Sequence, residues 1–190
     1  MLRKLSLVFL FLSVNSYADE LARIYFGGGF GTASASNEIQ RSEGPYGMLA
    51  GIDYVFTTKV SLGVEHLRSV SLSPAASSIS YSGLTATFYY PGNSPTTVYK
   101  ADELRPGTMM TRDISTYLGA SIGFAQASML PDVTGKSANV AGIYGAFRGG
   151  FDFTWIGRLG IRNQIEITQT LLGSGKSTGF YYLICLSYIL

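Results

Sequence analysis

Apolar and polar residues alternate with a period of two along several segments of this chain, which is the spacing of a β-strand. In "YGMLAGIDYVF", residues 46–56, one face carries Tyr46, Met48, Ala50, Ile52, Tyr54 and Phe56, and the other carries Gly47, Leu49, Gly51, Asp53 and Val55. In "RLGIRNQIEIT", residues 158–168, the charge-free face is Leu159, Ile161, Asn163, Ile165 and Ile167, opposite Gly160, Arg162, Gln164, Glu166 and Thr168. In both segments one face is free of charge and the other collects the ionised groups.

The alternation predicts eight strands near residues 22–34, 45–57, 59–72, 79–90, 114–127, 139–155, 158–170 and 179–190. Each is long enough for a tilted membrane crossing, which takes ~9–11 residues. We expect both termini on the periplasmic side, so that connections between strands are either inner, facing the periplasm, or outer, facing the cell exterior. The fourth strand has two candidate positions. It either contains "SGLTATFYYP", which leaves an unusually long inner connection before residue 114, or lies later, after a long second outer loop.

Composition decides which face points outward. Charged residues make up only 14% of the chain, too few to coat the exterior of a soluble barrel, whereas aromatic residues reach 13% and glycines number 23. After the N-terminal leader there is no run of eighteen apolar residues that would span a bilayer as a helix. The sequence therefore predicts an all-β, eight-stranded antiparallel up-and-down transmembrane β-barrel, with its apolar face toward lipid and its polar face toward a narrow lumen.

The inward face holds charges of both signs, which can pair with each other away from hydrocarbon. The predicted lumenal network consists of Asp53, Glu65, Asp152 and Glu166 against Arg148 and Arg162, with Arg23 as a further candidate. We expect this network to be structural rather than catalytic. Inward glycines would let so small a barrel close around these side chains.

The N-terminus has the organisation of a secretory signal peptide. Arg3 and Lys4 precede a mostly apolar core from Leu5 to Val14, and Ser16-Tyr17-Ala18 fits a cleavage site. This predicts a leader at residues 1–18 and a barrel domain at 19–190, exported to the cell outer membrane through the barrel-insertion machinery. Removing the leader takes the formal net charge from +2 to zero, so no nucleic-acid partner is expected. The single cysteine, Cys185, excludes an intramolecular disulfide.

The run "GSGKST", residues 173–178, imitates a nucleotide-binding P-loop. The full motif needs a glycine at position 170, where this chain has Thr170. A P-loop must also open a helix, and the following "GFYYLICLSYIL" has no helix start signal. We therefore predict a turn in a fourth outer loop at 171–178, with no bound nucleotide. No cofactor and no metal are expected.

Three segments carry a resemblance to the small outer-membrane barrels of the OmpA/OmpX type: "GIDYVFTTKVSLGVEHLRS", "ISTYLGASIGFA" and "GGFDFTWIGRLGIRNQIEI". The chain departs from that pattern by ending in Leu190, where the family usually ends in Phe, although Tyr188 and Leu190 keep an outward apolar pair. We also expect no peptidoglycan-binding domain after the barrel. The resemblance is a pattern of alternation, so it is specific for architecture and weak for function.

The resemblance implies a non-enzymatic outer-membrane protein with an envelope-structural or surface-interaction role. One alternative is a narrow passive pore for small solutes. The other is a lipid A-modifying enzyme, since some small barrels deacylate or acylate lipid A with a histidine and a serine near the outer leaflet. A deacylase-like His-x-Ser would need serine two residues after His66, where the chain has Arg68, and Ser69 is predicted to face the lumen.

His66 and Arg68 lie on the outward face of the third strand, near its outer end. A long cationic side chain at that height can reach the lipid headgroups. We therefore expect outer-membrane lipids, and lipopolysaccharide in particular, as partners, with Arg68 on a phosphate and His66 just below it.

Overall fold

In the computed structural model, the chain is described for residues 22–36, 46–70, 77–91, 94–95, 114–129, 138–156, 158–172 and 175–190. The signal peptide predicted at residues 1–18 lies outside these ranges. Within them, no helix is long and apolar enough to cross a membrane. The strands are β1 (Ala22–Ser36), β2 (Tyr46–Thr57), β3 (Val60–Val70), β4 (Ser77–Tyr89), β5 (Ile114–Met129), β6 (Ala138–Ile156), β7 (Leu159–Leu172) and β8 (Gly175–Ile189).

Each strand pairs with its sequence neighbours, and β1 pairs with β8 to close an eight-stranded antiparallel barrel. The predicted fold class is confirmed. The fourth strand takes the earlier of its two candidate positions, since β4 ends at Tyr89 and pairs with β5 from Ser77–Met129 to Tyr89–Tyr117. The predicted fourth outer loop at 171–178 is wrong in extent. β7 continues to Leu172 and β8 begins at Gly175, because Leu172 and Gly175 already pair across a two-residue connection.

The two ends of the barrel are distinguished by the positions of the chain ends. Both ends of the described chain lie at one end, where Arg23 of β1 pairs with Ile189 of β8. We call this the inner end, and the opposite one the outer end. At the inner end the long connection after β4 contacts the β2–β3 turn, because the Ser94 amide donates to the Thr58 carbonyl at 2.8 Å. The Lys59 ammonium lies 5.6 Å from the centre of the Tyr90 ring.

The outer wall is apolar and the lumen is filled with side chains. Phe26, Phe30, Leu84, Leu118, Ile122, Phe124, Phe147 and Leu186 are among the large apolar residues exposed on the wall. The residues between them along each strand are mostly buried, in the alternation of exposed and buried positions that the sequence predicts. The barrel is therefore built with its apolar face outward, as a lipid solvent requires.

The lumen has two layers. Toward the outer end, tyrosine and leucine side chains pack into an apolar cluster that includes Leu49, Leu67, Tyr81, Tyr144, Tyr181 and Leu183. Toward the inner end, the buried side chains include arginines and carboxylates. The apolar layer contains close aromatic pairs, such as Tyr81 and Tyr144, whose ring centroids are 5.3 Å apart. Such edge-to-face pairs stabilise a core beyond the apolar area they bury.

Candidate functional site

Asp53 is the centre of the charged layer. Its carboxylate accepts hydrogen bonds from Arg23 Nη2 of β1 and from Arg162 Nη1 of β7, each at 2.8 Å. Arg23 also reaches Asp152 of β6, with an Nη1–Oδ2 distance of 2.6 Å. All four side chains are at most 2% exposed, so water does little to screen these ion pairs. The four residues therefore join strands on opposite sides of the lumen.

Tyrosines complete this cluster. The Tyr89 hydroxyl accepts from Arg23 at 2.8 Å and donates to Asp152 at 3.1 Å. The Arg162 guanidinium stands 4.5 Å from the Tyr25 ring centre and 4.3 Å from the Tyr117 ring centre. Its Nε also donates to the Tyr117 hydroxyl at 2.9 Å. Arg162 thus has cation–π contacts in addition to its ion pair, which helps to offset its full desolvation.

A second cluster lies deeper in the barrel, around Glu65. Its carboxylate pairs with Arg148 and accepts from the Ser121 hydroxyl at 2.6 Å. Arg148 Nη2 also donates to the Thr87 hydroxyl at 2.6 Å. Glu166 accepts a hydrogen bond from Gln164 Nε2 at 2.8 Å and is the β7 residue opposite Arg148 in the register.

The structure therefore divides the sequence-predicted lumenal residues into two groups. Arg23, Asp53, Asp152 and Arg162 form one ion-paired cluster, whereas Glu65 and Arg148 form another. Among the described residues, Glu166 takes part in neither set of ion pairs. Within the same ranges, no group of three His, Cys, Asp or Glu side chains is placed to hold a metal ion.

Inward glycines make room for the charged side chains. A Cβ on Gly119 would come within 2.9 Å of Arg148 Nε and 2.7 Å of the Ala86 carbonyl oxygen. A Cβ on Gly63 would likewise collide with the Ile52 carbonyl oxygen and with the Asp53 side chain. The close approach of neighbouring groups, rather than backbone freedom, requires glycine at these two positions.

The outer wall carries a polar patch on β3, β4 and β5. His66 and Arg68 both face outward, and the strand register sets Ser82 beside His66 and Ser80 beside Arg68. Gln126 of β5 lies beside Ser80, on the side away from Arg68. We call these five residues the outer polar patch. The Ser82 hydroxyl lies 2.8 Å from His66 Nδ1, within hydrogen-bond distance.

Three members of the patch, Ser80, Ser82 and Gln126, are not found by reasoning from the sequence. A search for a serine partner of His66 along β3 meets Arg68 and then the buried Ser69. The partner comes instead from the neighbouring strand, through the β3–β4 register. The available signal was the alternation of Ser78, Ser80 and Ser82 on an outward face that is otherwise apolar.

The "GSGKST" run is the start of β8 from Gly175 onward. Lys176 faces outward and Ser177 is buried in the lumen, so successive side chains of the run point to opposite faces of the sheet. A P-loop needs these residues at the start of a helix. The local conformation at Gly175–Thr178 is therefore not that of a P-loop.

Charge is distributed unequally between the two faces. In the described part of the chain, all four carboxylate residues, Asp53, Glu65, Asp152 and Glu166, are buried in the lumen. Over the same ranges, the outward charges within the strands are those of Arg68 and Lys176, both close to the outer end. Among the residues that the structure describes, the charges on the wall near the outer end are therefore positive.

No protein family model matches this chain, and no curated protein sequence does. Solved structures do match its fold. Neisserial surface protein A superposes with a TM-score of 0.68 at 11% identity, covering 89% of this chain and 97% of that one. Ail, the attachment invasion locus protein of Yersinia pestis, gives a TM-score of 0.55 at 13% identity, covering 90% and 100%. The N-terminal β-barrel domain of Pseudomonas aeruginosa OprF gives 0.50 at 10% identity, covering 89% and 98%.

These similarities show the fold. The chain is a small eight-stranded barrel of the outer-membrane type, and the resemblance predicted from its sequence is confirmed. At such low identity they assign no specific role.

Proposed function

We propose that this protein is a non-enzymatic, envelope-structural barrel of the outer membrane, exported by its signal peptide and inserted by the barrel-insertion machinery. The observation that supports this role is that side chains fill the lumen. Arg162, Tyr81, Tyr89 and Tyr181 are among the largest side chains that are fully buried there. A barrel whose interior is used for ion pairs and packed tyrosines is built for rigidity within the membrane.

The filled lumen argues against the passive-pore alternative. The Tyr81 and Tyr181 hydroxyls, from β4 and β8, are 3.4 Å apart across the apolar layer. Toward the inner end, the Arg23–Asp53–Arg162 ion pairs cross the lumen a second time. A solute would have to open both layers to pass.

The outer polar patch supports a contact with lipopolysaccharide. Polar side chains facing hydrocarbon are costly, so a cluster of five on one stretch of wall needs a polar partner. A guanidinium such as that of Arg68 can bind phosphate through two hydrogen bonds. Because β3 ends at Val70, Arg68 lies close to the outer rim, where the headgroups of the outer leaflet lie. We place a lipopolysaccharide phosphate on Arg68, with His66, Ser80, Ser82 and Gln126 around it.

The experiment compares two bilayers. Thermal unfolding of wild type, Arg68→Lys and Arg68→Ala is measured in bilayers that contain lipopolysaccharide and in plain phosphatidylcholine. A loss of stability confined to the lipopolysaccharide bilayers, larger for alanine than for lysine, supports the contact. Equal losses in both bilayers would reduce Arg68 to an ordinary interfacial anchor.

A second candidate function, acyl-ester cleavage of an outer-leaflet lipid, is favoured by one observation. The Ser82 hydroxyl lies 2.8 Å from His66 Nδ1. That spacing would let His66 take the hydroxyl proton as Ser82 attacks an ester carbonyl. The simpler explanation is that two polar side chains on a lipid-facing wall form a hydrogen bond with each other.

Two measurements separate these explanations. Lipid A mass spectra of a deletion strain and its parent would differ in acyl chains if the protein cleaves esters. Purified protein would also bind a fluorophosphonate covalently at Ser82, and His66→Gln would abolish the adduct while keeping a hydrogen-bond partner for Ser82. Identical lipid A spectra and no adduct at Ser82 would exclude ester cleavage and leave the envelope-structural role as the only one of the two.

A further inference from the structure

A groove crosses the outer wall on the side of β5–β8. It has a volume of about 1000 Å³, and most of its lining residues face outward. Its floor is Gly145, where a side chain is missing between the exposed Ile143 and Phe147 of β6. A Cβ on Gly145 would have no heavy atom nearer than the Ser121 carbonyl oxygen at 3.9 Å, so the space above it is open.

The groove is apolar on its β5 and β6 sides, whereas its β7 and β8 sides also carry polar groups, with Gln169 between Ile167 and Leu171. Ile122 flanks Gly145 on one side, and Gln169 of β7 flanks it on the other. Beyond Gln169, the register continues to Thr178 of β8, and Lys176 follows one row nearer the outer end. Gln169, Thr178 and Lys176 all line the groove.

The height of these polar groups matches the boundary between headgroups and acyl chains. Gln169 lies three residues before the end of β7 at Leu172. At ~3.4 Å per residue and a strand tilt of ~40°, that is roughly 8 Å below the rim. Lys176 is the second residue of β8 and therefore lies at the rim itself.

We infer that this groove binds one lipid A moiety of lipopolysaccharide, separately from the outer polar patch. An acyl chain lies over Gly145 between Ile122 and Phe147, the Gln169 amide donates to an acyl carbonyl, and the Lys176 ammonium pairs with a phosphate. Charge complementarity selects this occupant, because Lys176 places a cation at the rim of the groove, where a lipid A phosphate would lie. The inference rests on the proposed orientation, with the outer end toward the cell exterior.

Binding is measured by native mass spectrometry of the detergent-purified barrel, with bisphosphorylated lipid A as the probe. All variants are made in the Arg68→Ala background, so that the polar patch does not contribute. Gly145→Leu fills the groove and should weaken lipid A binding by about tenfold or more, equivalent to ~1.4 kcal/mol. Ala141→Leu, on the same outward face of β6 but outside the groove lining, is the matched control and should bind as the parent does.

Lys176→Ala tests the phosphate contact. It should weaken the binding of bisphosphorylated lipid A and leave that of dephosphorylated lipid A unchanged. Heat-dependent gel mobility checks that each variant folds, and Gln169→Leu replaces Gly145→Leu if the latter does not.

Three results would overturn the inference. The first is equal lipid A binding by Gly145→Leu and Ala141→Leu, and the second is an equal effect of Lys176→Ala on the binding of bisphosphorylated and dephosphorylated lipid A. The third is displacement of lipid A by an equal concentration of phosphatidylethanolamine. The patch proposal fails separately, if Arg68→Ala alone does not change stability in lipopolysaccharide bilayers.

Discussion

Arg162 and Asp53 are 109 residues apart in the sequence, yet their side chains meet in the lumen at 2.8 Å. The contact ties β7 to β2, which are not neighbours in the barrel wall. A pair of this kind resists flattening of the barrel in a way that the hydrogen bonds between adjacent strands cannot. It also gives Asp53 two arginine partners, because Arg23 reaches the same carboxylate.

Asp53→Asn should therefore destabilise the barrel strongly. It leaves the buried Arg162 without its ion pair, and breaking a buried pair costs ~3–5 kcal/mol. Glu166→Gln is the control, since glutamine keeps an acceptor for Gln164 and no described ion pair is lost, so its cost should stay under about 1 kcal/mol. Urea unfolding in lipid vesicles measures both. Equal costs would mean that burial alone, and not the ion pair, sets the stability.

Charge on the outer wall should be penalised according to depth. Ile165 lies midway along β7 and Ile161 near its inner end, and both belong to the outward face. Ile165→Arg should cost ~2–4 kcal/mol, but Ile161→Arg only ~0–1 kcal/mol, because arginine reaches water from the interface. Vesicle-refolding yields and unfolding midpoints report the difference. If Ile161→Arg proved the more harmful, the assumed membrane position of the barrel would be wrong.

Purified protein in planar bilayers should show no channel steps. The lumen is closed by the Tyr81–Tyr181 pair and again by the Arg23–Asp53–Arg162 ion pairs. A variant with both tyrosines replaced by glycine should also stay closed, because the ionic layer remains. Steady conductance in the wild type would restore the pore hypothesis.

Glycine should be essential at Gly119 and dispensable at Gly145. Valine at position 119 would press on the Ala86 carbonyl and on Arg148, and such overpacking costs ~1–3 kcal/mol. Valine at position 145 points into open space on the wall. Thermal unfolding of the two variants should separate them clearly, and similar midpoints would contradict the account of how the lumen is packed.

No ATP binding is expected, in spite of "GSGKST". Lys176 and Ser177 face opposite sides of β8, so they cannot act together on a phosphate chain. Isothermal titration of the purified protein with MgATP should give no saturable heat, and Lys176→Ala should fold as the wild type does. A saturable signal that disappears in Lys176→Ala would reverse this interpretation.

The sequence is most informative where structure depends on local periodicity. The alternation around Asp53 and Arg162 is a property of single strands, so the faces, the strand number and the closed barrel follow from it. The contacts between side chains of different strands do not follow from local periodicity. The His66–Ser82 contact depends on the β3–β4 register, and the link between Arg162 and Asp53 depends on the curvature of the whole wall.

The extent of β8 shows a second limit. Turn-forming residues at 173–178 predict a loop, but pairing with β7 and β1 extends the strand back to Gly175. Lys176 pairs with Leu171 of β7 and Ser36 of β1, and Gly175 pairs with Leu172 of β7. This pairing outweighs the local preference for a turn. Long-range pairing therefore decides strand ends that composition alone misplaces.

The seam between β1 and β8 runs from Arg23–Ile189 to Ser36–Lys176, and beyond it the Leu190 amide still donates to the Ala22 carbonyl. The backbone hydrogen-bonding groups on one edge of β1 are thus paired with those on one edge of β8. A chain without β8 would leave β1 and β7 with unpaired backbone groups that hydrocarbon does not tolerate. Entry into the bilayer as a closed wall therefore depends on two strands that lie far apart in the sequence, and β1 can be satisfied only once β8 is in place.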